Sequence, residues 1–209
     1  MVLEACVETF EEALKAESLG ADRIELCDDL GVGGITPSYA LLDSLLKQLK
    51  IPVMVMIRPR GGNFVYTASE IKVMRQSIEV CKSLNVKGVV FGILDKHSQI
   101  DMDITRLLAE YASPLEITFH KAIDDTPDPV RSAEMLTEIK GITRILTSGG
   151  KTTALEGAEN INEMSKVTAG HLNILAAGRI TNANLKEISG ILDVEEFHGR
   201  KIVGTLQGF

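Results

Sequence analysis

Two short stretches near the start of the chain alternate reactive and apolar residues. Glu4, Cys6 and Glu8 take every second position of the first stretch, and Arg23, Glu25 and Cys27 do so in the second. Alternate side chains of an extended segment share a face, so each stretch presents carboxylate and thiol together. A carboxylate on a buried face needs a cation or hydrogen-bond donors, because leaving water disfavours its charge. Arg23 and Arg58 can supply one. Such groups serve either as catalytic acids and bases, with Glu25 foremost, or as an ion-pair network that fills an interior. Cys6 and Cys27 offer two soft ligands to an ion such as Cu(I), with Met54 and Met56 as further thioethers. As free thiols they also suit a small apolar site. Cys81 falls on the apolar stripe of a helical pattern and reads as core.

Other polar groups follow apolar runs. His120 closes Thr118-Phe119-His120-Lys121, and His198 closes Glu196-Phe197-His198. A histidine so placed can move protons near neutral pH or bind metal. His97, in a polar loop, and His171, at the start of a run, carry no such signal. Arg58-Pro59-Arg60-Gly61-Gly62 places two guanidiniums beside flexible backbone, and guanidinium pairs with carboxylate or phosphate in fork geometry. Ser148, Gly149 and Gly150 precede a helical pattern, where glycine amides and the helix dipole favour an anion. Gly178-Arg179 adds a second such turn.

The elements that must position these residues come from one alternation. Strand candidates are Val2–Val7, Arg23–Leu26, Val53–Ile57, Gly88–Phe91, Leu115–Phe119, Thr143–Leu146, His171–Leu175 and Glu195–His198. Helical patterns lie between them, opened by capping-box sequences at Thr9–Glu12, Thr67–Glu70 and Thr153–Glu156. Thr36-Pro37 and Asp128-Pro129 place proline at a first helical turn. Strands separated by helices, without hairpin signals, mean parallel pairing with helical crossovers. Eight of them predict an α/β fold, a TIM-type (β/α)8 barrel spanning 1–209 as one domain, with an open doubly wound sheet as the alternative. At 209 residues it is short against the roughly 250 typical of this barrel. A short tail is expected in place of the last helix, and a homodimer to cover the face so exposed. The site belongs at the C-terminal strand ends.

Composition narrows the partners. The net charge is −7, with no basic stripe, which argues against nucleic acid. No apolar run approaches the ~18 residues of a membrane span. The first residues lack the basic and apolar regions of a secretory leader. Three cysteines without a leader predict free thiols in a reducing cytoplasm.

Several segments resemble the CutC family of copper homeostasis proteins. They are Glu4–Glu8, Gly20–Cys27, Gly33–Ser38, Val89–Gly92, Thr118–Ala122, Arg144–Gly150 and Glu196–His198, together with the most specific, Val55-Met56-Ile57-Arg58-Pro59-Arg60-Gly61-Gly62-Asn63-Phe64. The resemblance runs in order along nearly the whole chain. It implies a TIM barrel, a cytosolic location, self-association and a role in copper handling, with Cys6 and Cys27 matching the family's Cu(I) cysteines. Three positions depart from the family pattern. His120-Lys121 stands for His-Arg, Ala176-Ala177-Gly178-Arg179 for a Pro-Gly-Gly-Gly run, and Gly199-Arg200-Lys201 for Ser-rich sequence.

Two functional expectations follow, one of Cu(I) binding at Cys6 and Cys27. The other is an enzyme acting on a small anionic metabolite. There Arg58, Arg60 and Ser148–Gly150 hold the anion, His120 or Glu25 moves a proton, and His198 is a second acid–base group. In the plainest alternative the same polar groups only fill the barrel of an interaction scaffold.

Overall fold

The computed structural model describes residues 1–206, so the expected domain span of 1–209 runs three residues past what is described. Eight parallel strands close into a ring in chain order, each hydrogen-bonded to the next and β8 to β1. They are β1 (Val2–Val7), β2 (Arg23–Leu26), β3 (Val53–Met56), β4 (Gly88–Phe91), β5 (Glu116–Phe119), β6 (Ile142–Thr147), β7 (Asn173–Ala176) and β8 (Glu196–Gly199). Seven helices cross between them: α1 (Phe10–Ser18), α2 (Tyr39–Leu46), α3 (Ala68–Ser83), α4 (Met102–Ala112), α5 (Pro129–Leu136), α6 (Ala158–Val167) and α7 (Leu185–Ser189). The closed ring excludes the open-sheet alternative. Among the described residues β8 is followed only by a bridge and a turn, with no eighth helix.

The helix starts follow their caps. Thr67 and Glu70 form the full reciprocal box at α3. Asp128 caps α5 with Pro129 at its first position. At α1, Thr9 accepts from Glu12, but the Glu12 carboxylate takes the N–H of Glu8 instead of Thr9. Two expected starts move. Ser38, one residue past Pro37, caps α2. The Thr153–Glu156 bonds form but close a turn, and α6 begins only at Ala158.

Strand alternation sorts the residues into two cores. One set faces the helices: Ala5, Ile24, Val55, Val89, Phe91, Ile117, Phe119, Ile145 and Phe197 lie in a single apolar cluster there. The other set fills the barrel, and it is largely polar or sulfur-bearing. Glycine at β4 makes room for it. A Cβ on Gly88 would collide with Met54 and the Glu116 carbonyl, and one on Gly92 would lie 2.5 Å from His120 Nδ1.

Candidate functional site

The N-terminal half of the barrel interior is ionic. Register sets Glu4 between Arg23 on β2 and His198 on β8. The Arg23 guanidinium bonds the Glu4 carboxylate through Nε and reaches Glu196 at 2.5 Å through Nη2. Arg144 Nε meets Glu196 at 2.8 Å, and its Nη2 meets Glu116 at 3.2 Å. Glu4, Arg23, Glu196 and Arg144 are all buried. Burial by itself would raise the Glu4 pKa. The His198 hydrogen bond and the Arg23 charge overcome it and hold Glu4 down to about 2. This part of the interior is the ion-pair filling that strand alternation anticipated, with Arg23 as its cation.

Above it lie the thiols. Cys6 sits opposite Glu25 on the neighbouring strand, and Cys27 follows two residues on. One donor atom from each of the three lies within 4.8 Å of the others. Cys27 Sγ is 3.6 Å from Glu25 Oε2. His198 Nδ1 is 2.9 Å from Glu4 and its Nε2 is 3.7 Å from Glu25. Met54, Met56 and Val90 pack against the sulfurs, with Leu30 beside them. The hydrogen bond with Cys27 outweighs burial and, with His198, brings Cys6 down to about 5. Cys27 rises well above the ordinary thiol value through the same bond and its burial. Burial, reinforced by charge on Cys6, lifts Glu25 well above the carboxylate range. Burial opposes charge on His198, but facing Glu25, Cys6 and Glu4 raises it well above 6.5.

The opposite wall carries nitrogen donors. Arg58, just past β3, spends Nη1 on the carbonyls of Val32 and Gly34 and Nη2 on that of Gly62. Its buried Nε has no partner. His120, just past β5, accepts the Ala122 N–H at Nδ1, 3.2 Å away. Burial, with the Arg58 charge beside it, drops its pKa to about 3. The ring is therefore neutral and protonated at Nε2, which also lacks a partner. Phe64 covers both, 4.8 Å from the Arg58 guanidinium carbon and 4.8 Å from the His120 ring.

Thiols, carboxylate and nitrogen donors enclose one chamber of about 200 Å³, reached by Cys6, Glu25, Cys27, Arg58, His120 and His198. Gly33, Arg58, Phe64 and Lys121 also line a wider vestibule of about 720 Å³ outside it. The convergence of Glu25, Arg58, His120 and His198 on one cavity thus follows from barrel closure.

Other expected site residues stand elsewhere. Arg60 faces its own loop, bonding Glu70, Asn63 and the carbonyls of Gly61 and Val65, and lines neither cavity. Its donors are consumed in shaping the turn before α3, which corrects its reading as an anion ligand. Glu8 lies past β1 and pairs with Arg200 at 2.8 Å, outside the chamber. The Ser148–Gly150 loop has the expected form, with Gly149 and Gly150 at positive φ. Its anion is the chain's own. Asp124 accepts the N–H of Ser148 at 3.0 Å and of Gly150 at 2.8 Å, and Lys121 completes the cluster at 2.5 Å. Gly149 donates instead to Thr147 Oγ1. Burial opposes the Asp124 charge, but Lys121 and these donors hold its pKa below the ordinary value. Asp124 and Phe64 are the residues missed from sequence. Asp124 lies outside every motif read from the sequence, and Phe64 entered only as the last residue of the Val55–Phe64 segment, without a role.

A closed parallel barrel whose C-terminal mouth opens on a thiol- and carboxylate-lined chamber defines a TIM barrel with a built site. Of known folds, dihydrodipicolinate synthase from Cyanidioschyzon merolae shares the architecture alone, at 14% identity and a TM-score of 0.67. A Streptococcus agalactiae protein solved under the name copper homeostasis protein CutC is far nearer. It matches at a TM-score of 0.90 and 32% identity, covering 97% of this chain and 99% of its own. The CutC family model matches residues 1–203. A CutC family protein of Histophilus somni is 40% identical over 95% of this chain and 81% of its own length. The human copper homeostasis protein cutC homolog is 41% identical over 94% and 72%. The chain belongs to the CutC family.

Proposed function

We propose that this CutC barrel handles Cu(I) as cargo, holding it between Cys6 and Cys27. The observation that carries this reading is the sulfur pair with Glu25, their donor atoms within 4.8 Å of one another. Two metal–sulfur bonds of about 2.3 Å, the zinc–thiolate length, reach across about 4.6 Å, so donor atoms gathered this closely are near the spacing at which they share one ion. The donor chemistry fits: two sulfurs from cysteine, with Met54 and Met56 packed beside them, suit a soft monovalent ion. The three free cysteines accord with a reducing cytoplasm, and no helix among the described residues is long and apolar enough to cross a membrane. The test is anaerobic Cu(I) titration against a chromophoric chelator. Cys6→Ser and Cys27→Ser should each weaken binding, and the double variant should abolish it. Copper retained by the double variant refutes the assignment.

The nitrogen wall favours a second reading, a small anionic metabolite in the same chamber. Arg58 Nε and His120 Nε2 are buried donors without partners, and a buried donor is costly until it finds an acceptor. Ligand-detected NMR with small anions tests this, and the absence of any competition at the chamber would end it.

A further inference from the structure

The chamber holds three buried polar atoms without partners: Arg58 Nε, His120 Nε2 and Glu25 Oε1. Arg58 is 4% exposed, His120 3% and Glu25 2%, so bulk water does not satisfy them. Two are N–H donors, fixed as such by the chemistry of arginine and by the Ala122 N–H that occupies His120 Nδ1. The third is a carboxyl oxygen, which keeps a lone pair to accept with whether or not it carries the proton. Size sets the next limit. At roughly 30 Å³ for each water, 200 Å³ admits a ligand of about six or seven non-hydrogen atoms.

Charge decides what kind of anion. The loop that would cradle a phosphate has its Ser148 and Gly150 amides filled by Asp124. The vestibule sets Arg58, Lys121 and Lys151 against Asp124, Asp125 and Glu156, so its charges cancel and a dianion gains no steering. A monoanion with two acceptor oxygens and one donor hydroxyl fits all three orphaned atoms. We propose that the inner chamber binds a small hydroxycarboxylate of three or four carbons. Its carboxylate accepts from Arg58 Nε–H and His120 Nε2–H, its hydroxyl donates to Glu25 Oε1, and Phe64 closes over the donors. This rests on the metabolite reading above and gives that ligand its class.

The chain has four histidines, so ring-nitrogen NMR resolves His120 in the intact, metal-free, reduced protein. Racemic lactate should shift the His120 Nε2–H signal saturably. Propionate, which lacks the hydroxyl, should bind about tenfold more weakly. Inorganic phosphate should leave His120 unmoved. His120→Phe keeps a ring without its donor and should weaken lactate about 10- to 100-fold. Because the wild-type titration needs no variant, a misfolded variant does not rescue the proposal. Propionate as tight as lactate removes the Glu25 contact and overturns the class. Phosphate shifting His120 as strongly as lactate also overturns the class but leaves an anion chamber standing. If no anion moves His120, the metabolite reading falls with it.

Discussion

Replacing Arg23 by methionine isolates the ionic part of the barrel interior. Methionine keeps most of the volume and removes the guanidinium from between Glu4 and Glu196. Glu196 retains Arg144 at 2.8 Å and Asn173 at 2.9 Å, so the loss falls on Glu4, left with His198 alone at 2.9 Å. Breaking a buried ion pair from one side costs about 3–5 kcal/mol. The surviving partners put Arg23→Met near the lower end, about 3 kcal/mol. For a chain of this size that lowers Tm by about 6–12 °C. The penalty also depends on pH. Glu4 titrates near 2 in the fold against an ordinary 4.5, a difference worth roughly 3 kcal/mol, to which His198 contributes more than Arg23. The Glu4 pKa is depressed by folding, so this stability is complete above 4.5 and disappears as pH falls toward 2. The gap between wild type and Arg23→Met should therefore be widest at neutral pH and close in acid. Urea denaturation followed by circular dichroism at pH 7 and near pH 2, where the Glu4 contribution is nearly gone, measures both effects. Adding Glu4→Gln should recover most of the loss, since a pair removed together leaves no uncompensated charge. A penalty under about 0.5 kcal/mol at pH 7, the range of an ordinary surface change, or a gap unchanged by pH, would refute the reasoning.

Three further outcomes follow from the site. Asp124→Ala frees the Ser148 and Gly150 amides, so inorganic phosphate should raise the Tm of this variant while leaving wild type unchanged; equal responses would show that Asp124 does not compete for the loop. Gly92→Ala should displace the His120 ring, because the new Cβ lies 2.5 Å from Nδ1. A cost of about 1–3 kcal/mol with a changed His120 resonance is expected, and an unperturbed ring would show the contact to be slack. Light scattering should give the mass of a dimer, as the expected cover for a barrel whose last strand has no helix after it among the described residues; a monomer at every concentration removes that expectation.

The strands were legible because each carries apolar residues on its helix-facing side and recurs between helical patterns, and most bounds agree within a residue. Alternation within those runs then placed Glu4, Cys6, Glu25 and His198 in the barrel, since period two leaves no other choice once one face is fixed. What failed was the division of labour among identical side chains. Arg58 and Arg60 are two residues apart and chemically alike, yet one reaches the chamber and the other closes its own loop. Asp124 was hidden for the same reason: an acid filling an anion cradle from another loop leaves no local pattern. Thr153–Glu156 makes its capping bonds but delays the helix to Ala158, because the packing of Gly157 against Ser148 and Gly149 sets where α6 can begin.

The polar interior itself demands a reason, because hydrophobic filling of a barrel is at least as stable as buried ion pairs. The arrangement suggests one. Arg23 fixes Glu4, Glu4 holds His198 Nδ1, and His198 Nε2 then faces Glu25 beside the two thiols. Each member orients the next, so the ionic part works as the support that sets ring and carboxylate orientation in the chamber above, as outer partners do for liganding groups generally. An apolar plug would carry the barrel but not that orientation. Glu4→Gln therefore separates the two roles. It removes the charge with little change in shape. Breaking the buried pair from this side should cost about 3 kcal/mol, as Arg23→Met does, while the Cu(I) affinity of the folded protein falls by roughly 10- to 100-fold, the usual effect of losing such a support. Unchanged copper binding in Glu4→Gln would mean that the ion pairs fill space and nothing more.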